Sequence, residues 1–128
     1  MSNLRDLADI TPIQVWDGVI ARRLDGEQLT LAVVELEPNA LVPEHRHAAE
    51  QFGVVIEGEV HFRIENESRV LGPGGTWRIL GDRPHEVRAG AEGAVVVDAF
   101  SPPRHDWDDK PTAGSSDDPR PPLWPRGR

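Results

Sequence analysis

The chain is 128 residues long, has no cysteine and carries a formal net charge of −8. That length fits one domain at most. Without cysteine there are no disulfides, thiolate metal sites or cysteine nucleophiles, which suits a cytoplasmic setting. The whole charge imbalance lies in residues 1–100, with seventeen acids against nine bases, so phosphate backbones are repelled and no nucleic-acid partner is expected.

The opening, MSNLRDLADI, lacks the apolar stretch of a secretory signal, and its segment 2–9 suits a helical turn or two. Further on, LTLAVVELE (29–37) is a β-branched run that ends at Pro38-Asn39. A longer run, FGVVIEGEVHFRIE (52–65), breaks at Gly58 and stops at Asn66-Glu67-Ser68. GPGG (72–75) and GDRP (81–84) are turn chemistry, and EGAVVVDAF (92–100) reads as a last strand. Strands at roughly ten-residue spacing with no helical period between them predict an all-β barrel or sandwich. No run approaches the roughly 20 apolar residues of a membrane span, and no basic amphipathic segment is present, so no membrane partner is expected. From Ser101 onward the composition changes, because seven of the twelve prolines lie there. The expected organisation is a barrel over residues 1–100, with a short N-terminal extension, and an extended or disordered tail over 101–128. Trp107 and Trp124 are the tail residues able to dock on the barrel, and Trp124 between prolines also suits a partner-binding element.

Five histidines are present, and His45 and His47 stand two apart just before the long run. On a strand, residues two apart share a face, so both imidazoles aim into one space while Arg46 points away. A shared metal and a structural hydrogen-bonding role both remain open on the pair alone.

The stretch HRHAAEQFGVVIEGE followed by PGGTWRILGDRPH resembles the two signature motifs of the cupin superfamily. The matching positions are His45, His47, Gln51, Gly58, Pro73-Gly74, Pro84 and His85, and the resemblance covers roughly residues 28–100. It implies a single-domain cupin, a double-stranded β-helix or jelly-roll barrel, with His45, His47, Gln51 and His85 around one divalent first-row metal at its mouth. An imidazole-rich site accepts zinc, nickel, manganese, iron or copper. A homodimer is implied as well.

Many cupins carry Glu where this chain has Gln51, and Glu50 lies one residue earlier. The gap after His47 favours Gln51, and strand parity turns Glu50 to the opposite face. Three imidazoles and an amide are all neutral, so the metal keeps its full charge and is a stronger Lewis acid toward an oxyanion or enolate. The same set stabilises a high-valent iron less well, which favours non-redox chemistry.

In the last strand Val96, Asp98 and Phe100 share a face, and an acid among apolar residues is costly to bury unless paired. Asp98 facing solvent or holding a loop is the plain alternative. The ending DAFSPPRHDW resembles one cupin branch, the KdgF-like proteins of pectin and alginate degradation, associated with converting linear unsaturated uronates into keto forms. That resemblance implies Asp98 as the acid/base, Phe100 as a pocket wall and Arg104 as the ligand of a substrate carboxylate. Arg78 in TWRIL is a second candidate cation, though alternation equally places it on the surface. The expected partner is therefore a small carboxylate-bearing molecule, and the expected activity a metal-dependent isomerase or tautomerase. A cupin cyclase or dioxygenase acting on an aromatic or polyketide substrate is the alternative, as is a non-catalytic binding module. His61 falls out of phase with Val60 and Phe62 and reads as surface, His105 starts the tail, and the GPGG glycines precede no helix that would cradle a phosphate.

Overall fold

The computed structural model describes residues 2–114 and 120–126. Among these, strands β1 (Ile13–Trp16), β2 (Val19–Asp25), β3 (Thr30–Leu36) and β4 (Leu41–His45) precede the long β5 (Glu50–Ile64). They are followed by β6 (Glu67–Leu71), β7 (Thr76–Ile79) and a second long strand, β8 (His85–Ser101). The helical expectation at the N-terminus is met only by a single 3-10 turn at Leu7–Asp9, and a second such turn lies at His105–Trp107.

All pairings are antiparallel, in the order β1-β2-β3-β8-β5-β6, with β4 added on β8 and β7 on β5. The two long strands explain the shape. The first part of β5 pairs with β7 and with the end of β8, whereas its last part pairs with β6 and with the start of β8. Both strands therefore pass from one leaf of the folded sheet into the other, as strands do at the corners of β sandwiches. The corner lies at Gly58 and Gly93, whose φ values are +80° and +78°. A Cβ on Gly58 would sit 2.2 Å from the Gly93 carbonyl oxygen, and one on Gly93 would sit 2.6 Å from that of Leu36. Only glycine fits either position. This is the jelly-roll barrel that the motifs predict.

Between the leaves, alternation buries Ala32, Val34 and Leu36 of β3 against Val42, Val60 and Phe62 of the opposite leaf. Each such fully buried large side chain contributes roughly 1.5–3 kcal/mol. The outward residues of one leaf are apolar as well. Leu24, Leu31, Ala99 and Phe52 stand in one row across β2, β3, β8 and β5, and Leu24, Leu31 and Phe52 are exposed.

After Ser101 the chain turns back onto the barrel. Arg104, Trp107 and Ala113 are buried, and Thr112 bridges to Ile13 on β1. Residues 120–126 lie against the outside of β2 and β3, where the Leu123 amide donates to Glu35 Oε2 at 3.0 Å. Residues of the tail thus pack as well as extend, because Trp107 buries apolar surface and the Leu123 amide finds a partner on the barrel. Trp124 is half-buried. Residues 115–119 and 127–128, over which the expected tail also runs, lie outside the described residues. No helix of the described residues is long and apolar enough to cross a membrane.

Candidate metal centre

Three histidines meet at one end of the barrel. His45 closes β4, His85 opens β8, and the two pair across the sheet. His47 lies two residues beyond the end of β4, so the shared face of a strand is not what brings it in. Its Nδ1 bonds the Ala49 carbonyl oxygen at 2.8 Å, which turns the ring toward the other two. Ring centroids are 4.2 Å apart for His45 and His85, 4.9 Å for His47 and His85, and 5.5 Å for His45 and His47.

The tautomers follow from the backbone. Nδ1 of His45 bonds the Pro43 carbonyl at 2.9 Å, and Nδ1 of His85 bonds that of Arg83 at 2.8 Å. A carbonyl oxygen only accepts, so each Nδ1 carries the hydrogen and each neutral ring keeps its lone pair on Nε2. One ligand atom from each of the three lies within 4.8 Å of the others. Nε2 of His85 is buried with no hydrogen-bond partner among the described residues.

Gln51 joins them from β5. It is buried, while Glu50 is exposed on the opposite side of the strand. Its Oε1 faces His47 Nε2 at 3.1 Å, and its Nε2 donates to Asp98 Oδ1 at 3.0 Å. With Nδ1 of His47 protonated, two acceptors face each other across that 3.1 Å gap. Such a contact is repulsive unless a cation lies between them. An orphaned buried imidazole nitrogen and opposed lone pairs fit a divalent cation held by neutral nitrogen and oxygen donors. Burial lowers the pKa of His45 and His47 and takes that of His85 down to about 4, which keeps the rings neutral and able to ligate.

Asp98 lies behind Gln51, in phase with Val96 and Phe100 on β8, and is almost fully buried. Burial raises its pKa to about 6, against hydrogen bonds from Gln51 and Trp77 and the charge of Arg104, all of which pull it down. The bonds from Gln51 Nε2 and Trp77 Nε1, at 3.0 and 2.8 Å, both end on Oδ1, so neither engages Oδ2.

Phe100 packs edge-on to His47 at 5.9 Å and to Trp107 at 5.1 Å. The Arg104 guanidinium lies against both the Phe100 and Trp107 rings, 4.7 and 4.5 Å from their centroids. It also forms a bidentate pair with Asp106, Nε to Oδ1 at 3.0 Å and Nη2 to Oδ2 at 2.9 Å. His45, Gln51, His85, Asp98, Phe100 and Arg104 all line one pocket. Arg78, the second candidate cation, is turned outward, because the inward positions of β7 are Trp77 and Ile79. His61 is exposed beside Glu59, and His105 is exposed in the second 3-10 turn.

Three residues of the site escaped the sequence reading. Trp77 holds Asp98, and its one sequence signal was being in phase with Ile79. Trp16 lines the mouth with its ring centroid 5.3 Å from that of His45. Asp106 occupies Arg104.

A model of the cupin domain family matches residues 32–100. The pectin degradation protein KdgF of Dickeya dadantii (strain 3937) is 29% identical over 102 residues, which is 77% of this chain and 93% of that protein. A RmlC-like cupin from Shewanella frigidimarina superposes with a TM-score of 0.78 at 21% identity, covering 84% of this chain and 96% of that one. KdgF from a Halomonas species superposes with a TM-score of 0.76 at 24% identity, covering 83% and 98%. At those identities the two structures speak for the fold.

Proposed function

The chain belongs to the cupin family, and from that premise we propose that it is a metal-dependent tautomerase that ketonises linear unsaturated uronates left by polysaccharide lyases. One observation carries this reading. A buried acid, Asp98, and an arginine, Arg104, line the same pocket as imidazoles whose Nε2 lone pairs converge. Likeness to KdgF, a protein named for pectin degradation, supports the substrate class.

His45, His47, Gln51 and His85 would hold the metal, one of zinc, nickel, manganese, iron or copper. Bound there, it supplies Lewis-acid polarisation of a substrate oxygen. Ketonisation removes the enol O–H proton and adds a proton to carbon, with no net gain or loss. Asp98, with its pKa raised to about 6 by burial, exchanges that proton near neutral pH through Oδ2, the oxygen that Gln51 and Trp77 leave unengaged. Arg104 offers a guanidinium to the substrate carboxylate, and Phe100 and Trp107 fix its plane. Phe100 also closes the wall beside His47.

Trp16 and Trp107 at the mouth suit the alternative, a cyclase or dioxygenase on an aromatic substrate. The neutral donor set and the arginine favour the uronate. The deciding experiment is metal analysis of the purified protein together with a screen of unsaturated uronates, following loss of the enol absorbance. Turnover that needs the metal and not dioxygen supports the tautomerase; dioxygen-dependent turnover of an aromatic, or uronate binding without turnover, would replace it. For the expected homodimer, the exposed row of Leu24, Leu31 and Phe52 is the candidate contact. Leu31→Asp then yields a monomer by light scattering, and an unchanged mass would remove this face from the interface.

A further inference from the structure

Trp77, Gly53 and Asp98 stand in one row across β7, β5 and β8. All three point inward, so the side chain of the middle residue would normally separate the other two. It is glycine, and a Cβ there would lie 2.3 Å from Trp77 Cε2. The indole fills that notch, stacks on Phe62 at 4.8 Å, and reaches across the strand to donate from Nε1 to Asp98 Oδ1 at 2.8 Å.

We propose that Trp77 is a positioning residue that acts through Asp98 to set which end of the Gln51 amide meets the imidazoles. The inference rests on Gln51 being a metal ligand. An amide side chain has an acceptor end and a donor end of nearly equal shape, so packing alone does not choose between them. In the reversed orientation the Gln51 NH2 would donate to the His47 Nε2 lone pair and close the site to metal. Its oxygen would then face Asp98 Oδ1, a contact that needs a hydrogen on Oδ1. The indole N–H, which can only donate, already points at Oδ1 and disfavours a hydrogen there. Oδ1 is thereby kept as an acceptor, the Gln51 NH2 is drawn to it, and Gln51 Oε1 is left facing His47 Nε2. Partners of this kind behind a metal ligand are worth roughly 10–100-fold in affinity or activity.

The test is zinc affinity by competition with a chelator, which needs no substrate. Trp77→Phe keeps a ring against Phe62 and removes the N–H, and should weaken zinc binding roughly tenfold. The same substitution in a Gln51→Glu background should cost little, because a carboxylate has no wrong end. Gly53→Ala, which displaces the indole by another route, should repeat this pattern. An equal loss in both backgrounds, or no loss in either, would overturn the proposal, as would failure of both Trp77→Phe and Gly53→Ala to fold. Trp77-dependent zinc binding in a protein that turns over no uronate would reject the proposed function and leave this inference standing. Uronate turnover with zinc binding indifferent to Trp77 would do the reverse, and binding of neither zinc nor nickel, manganese, iron or copper would reject both.

Discussion

On the outside of β2 and β3, Arg22 and Glu35 are both buried and answer each other, with Arg22 Nη1 2.9 Å from Glu35 Oε2. The tail completes the pair: the Leu123 amide donates to the same carboxylate oxygen, and Arg22 Nη2 donates to the Arg120 carbonyl. Among the described residues, buried Nε of Arg22 is without a partner. At the barrel mouth the burial is similar, but the inventory is not closed. Lone pairs on His47 and Gln51 oppose each other, His85 Nε2 has no partner, and Asp98 carries a raised pKa. Opposite charges that meet inside a fold form a structural element. Acceptors that meet without a donor are the arrangement that the proposed metal would complete.

The contrast is broken most directly at the histidines. His45→Ala or His47→Ala is expected to abolish stoichiometric metal while the barrel still folds, by elemental analysis and circular dichroism. Retention of metal by both variants would end the assignment. Asp98→Asn comes next. It keeps an acceptor for Trp77 and Gln51 and removes the acid, so metal content and melting should persist while uronate turnover falls on the order of 10²-fold or more. An Asn variant that loses metal or unfolds would make Asp98 part of the scaffold.

Glu35→Ala probes the other cluster. It strands a buried guanidinium, and breaking such a pair costs about 3–5 kcal/mol. Denaturant unfolding should register that loss, with metal content unchanged. A loss of metal would show that the two clusters are coupled.

Acid should separate the clusters further. In metal-free protein the three imidazoles have lowered pKa values, so between about pH 4 and 6.5 the folded chain binds fewer protons there than the unfolded chain, and stability rises with pH. His85 alone, taken down to about 4, contributes on the order of 3 kcal/mol across that window. Asp98 acts in the opposite sense. Its pKa is raised to about 6, so its contribution is present at low pH and is lost as pH rises through that value. The histidines prevail, and chelator-treated protein should melt higher at pH 7 than at pH 5. Asp98→Asn should steepen the rise, and a flat profile in the parent protein would contradict the burial of the imidazoles.

Much of this was legible in the sequence, for reasons of distance along the chain. His45 and His47 are close neighbours, Pro84-His85 follows a turn with its own residue chemistry, and period-two alternation put Asp98 on the inward face. What escaped depends on register between strands remote in sequence. The bond from Trp77 to Asp98 spans 21 residues and exists only because Gly53 stands between them in a third strand. Read locally, Gly53 is an ordinary strand glycine. In the tail, the prolines read as a segment with no core of its own. They said nothing of Arg104 lying against two aromatic rings, because Phe100 and Trp107 come together only where the chain folds back.

The smallest expected effect concerns that arginine. Asp106 takes the Nε and Nη2 edge of Arg104 in a bidentate pair, and the hydrogen bonds from Arg104 hold its pKa below the ordinary carboxylate value. A substrate carboxylate seeking a fork would compete for the same edge. The Asp106 side chain is 62% exposed, and exposed ion pairs are typically worth less than about 1 kcal/mol. Its removal should therefore shift binding by no more than about fivefold. Asp106→Asn leaves the guanidinium in place against Phe100 and Trp107 and frees its charge, so KM should fall a few-fold with kcat unchanged. Metal content, which the histidines and Gln51 would set, should not move. A rise in KM would mean that the carboxylate meets Nη1 instead and that Asp106 orients the guanidinium for it. Steady-state kinetics on a uronate series, with the carboxylate present or reduced to the alcohol, separates the two, because only competition for the fork makes the gain vanish with the carboxylate.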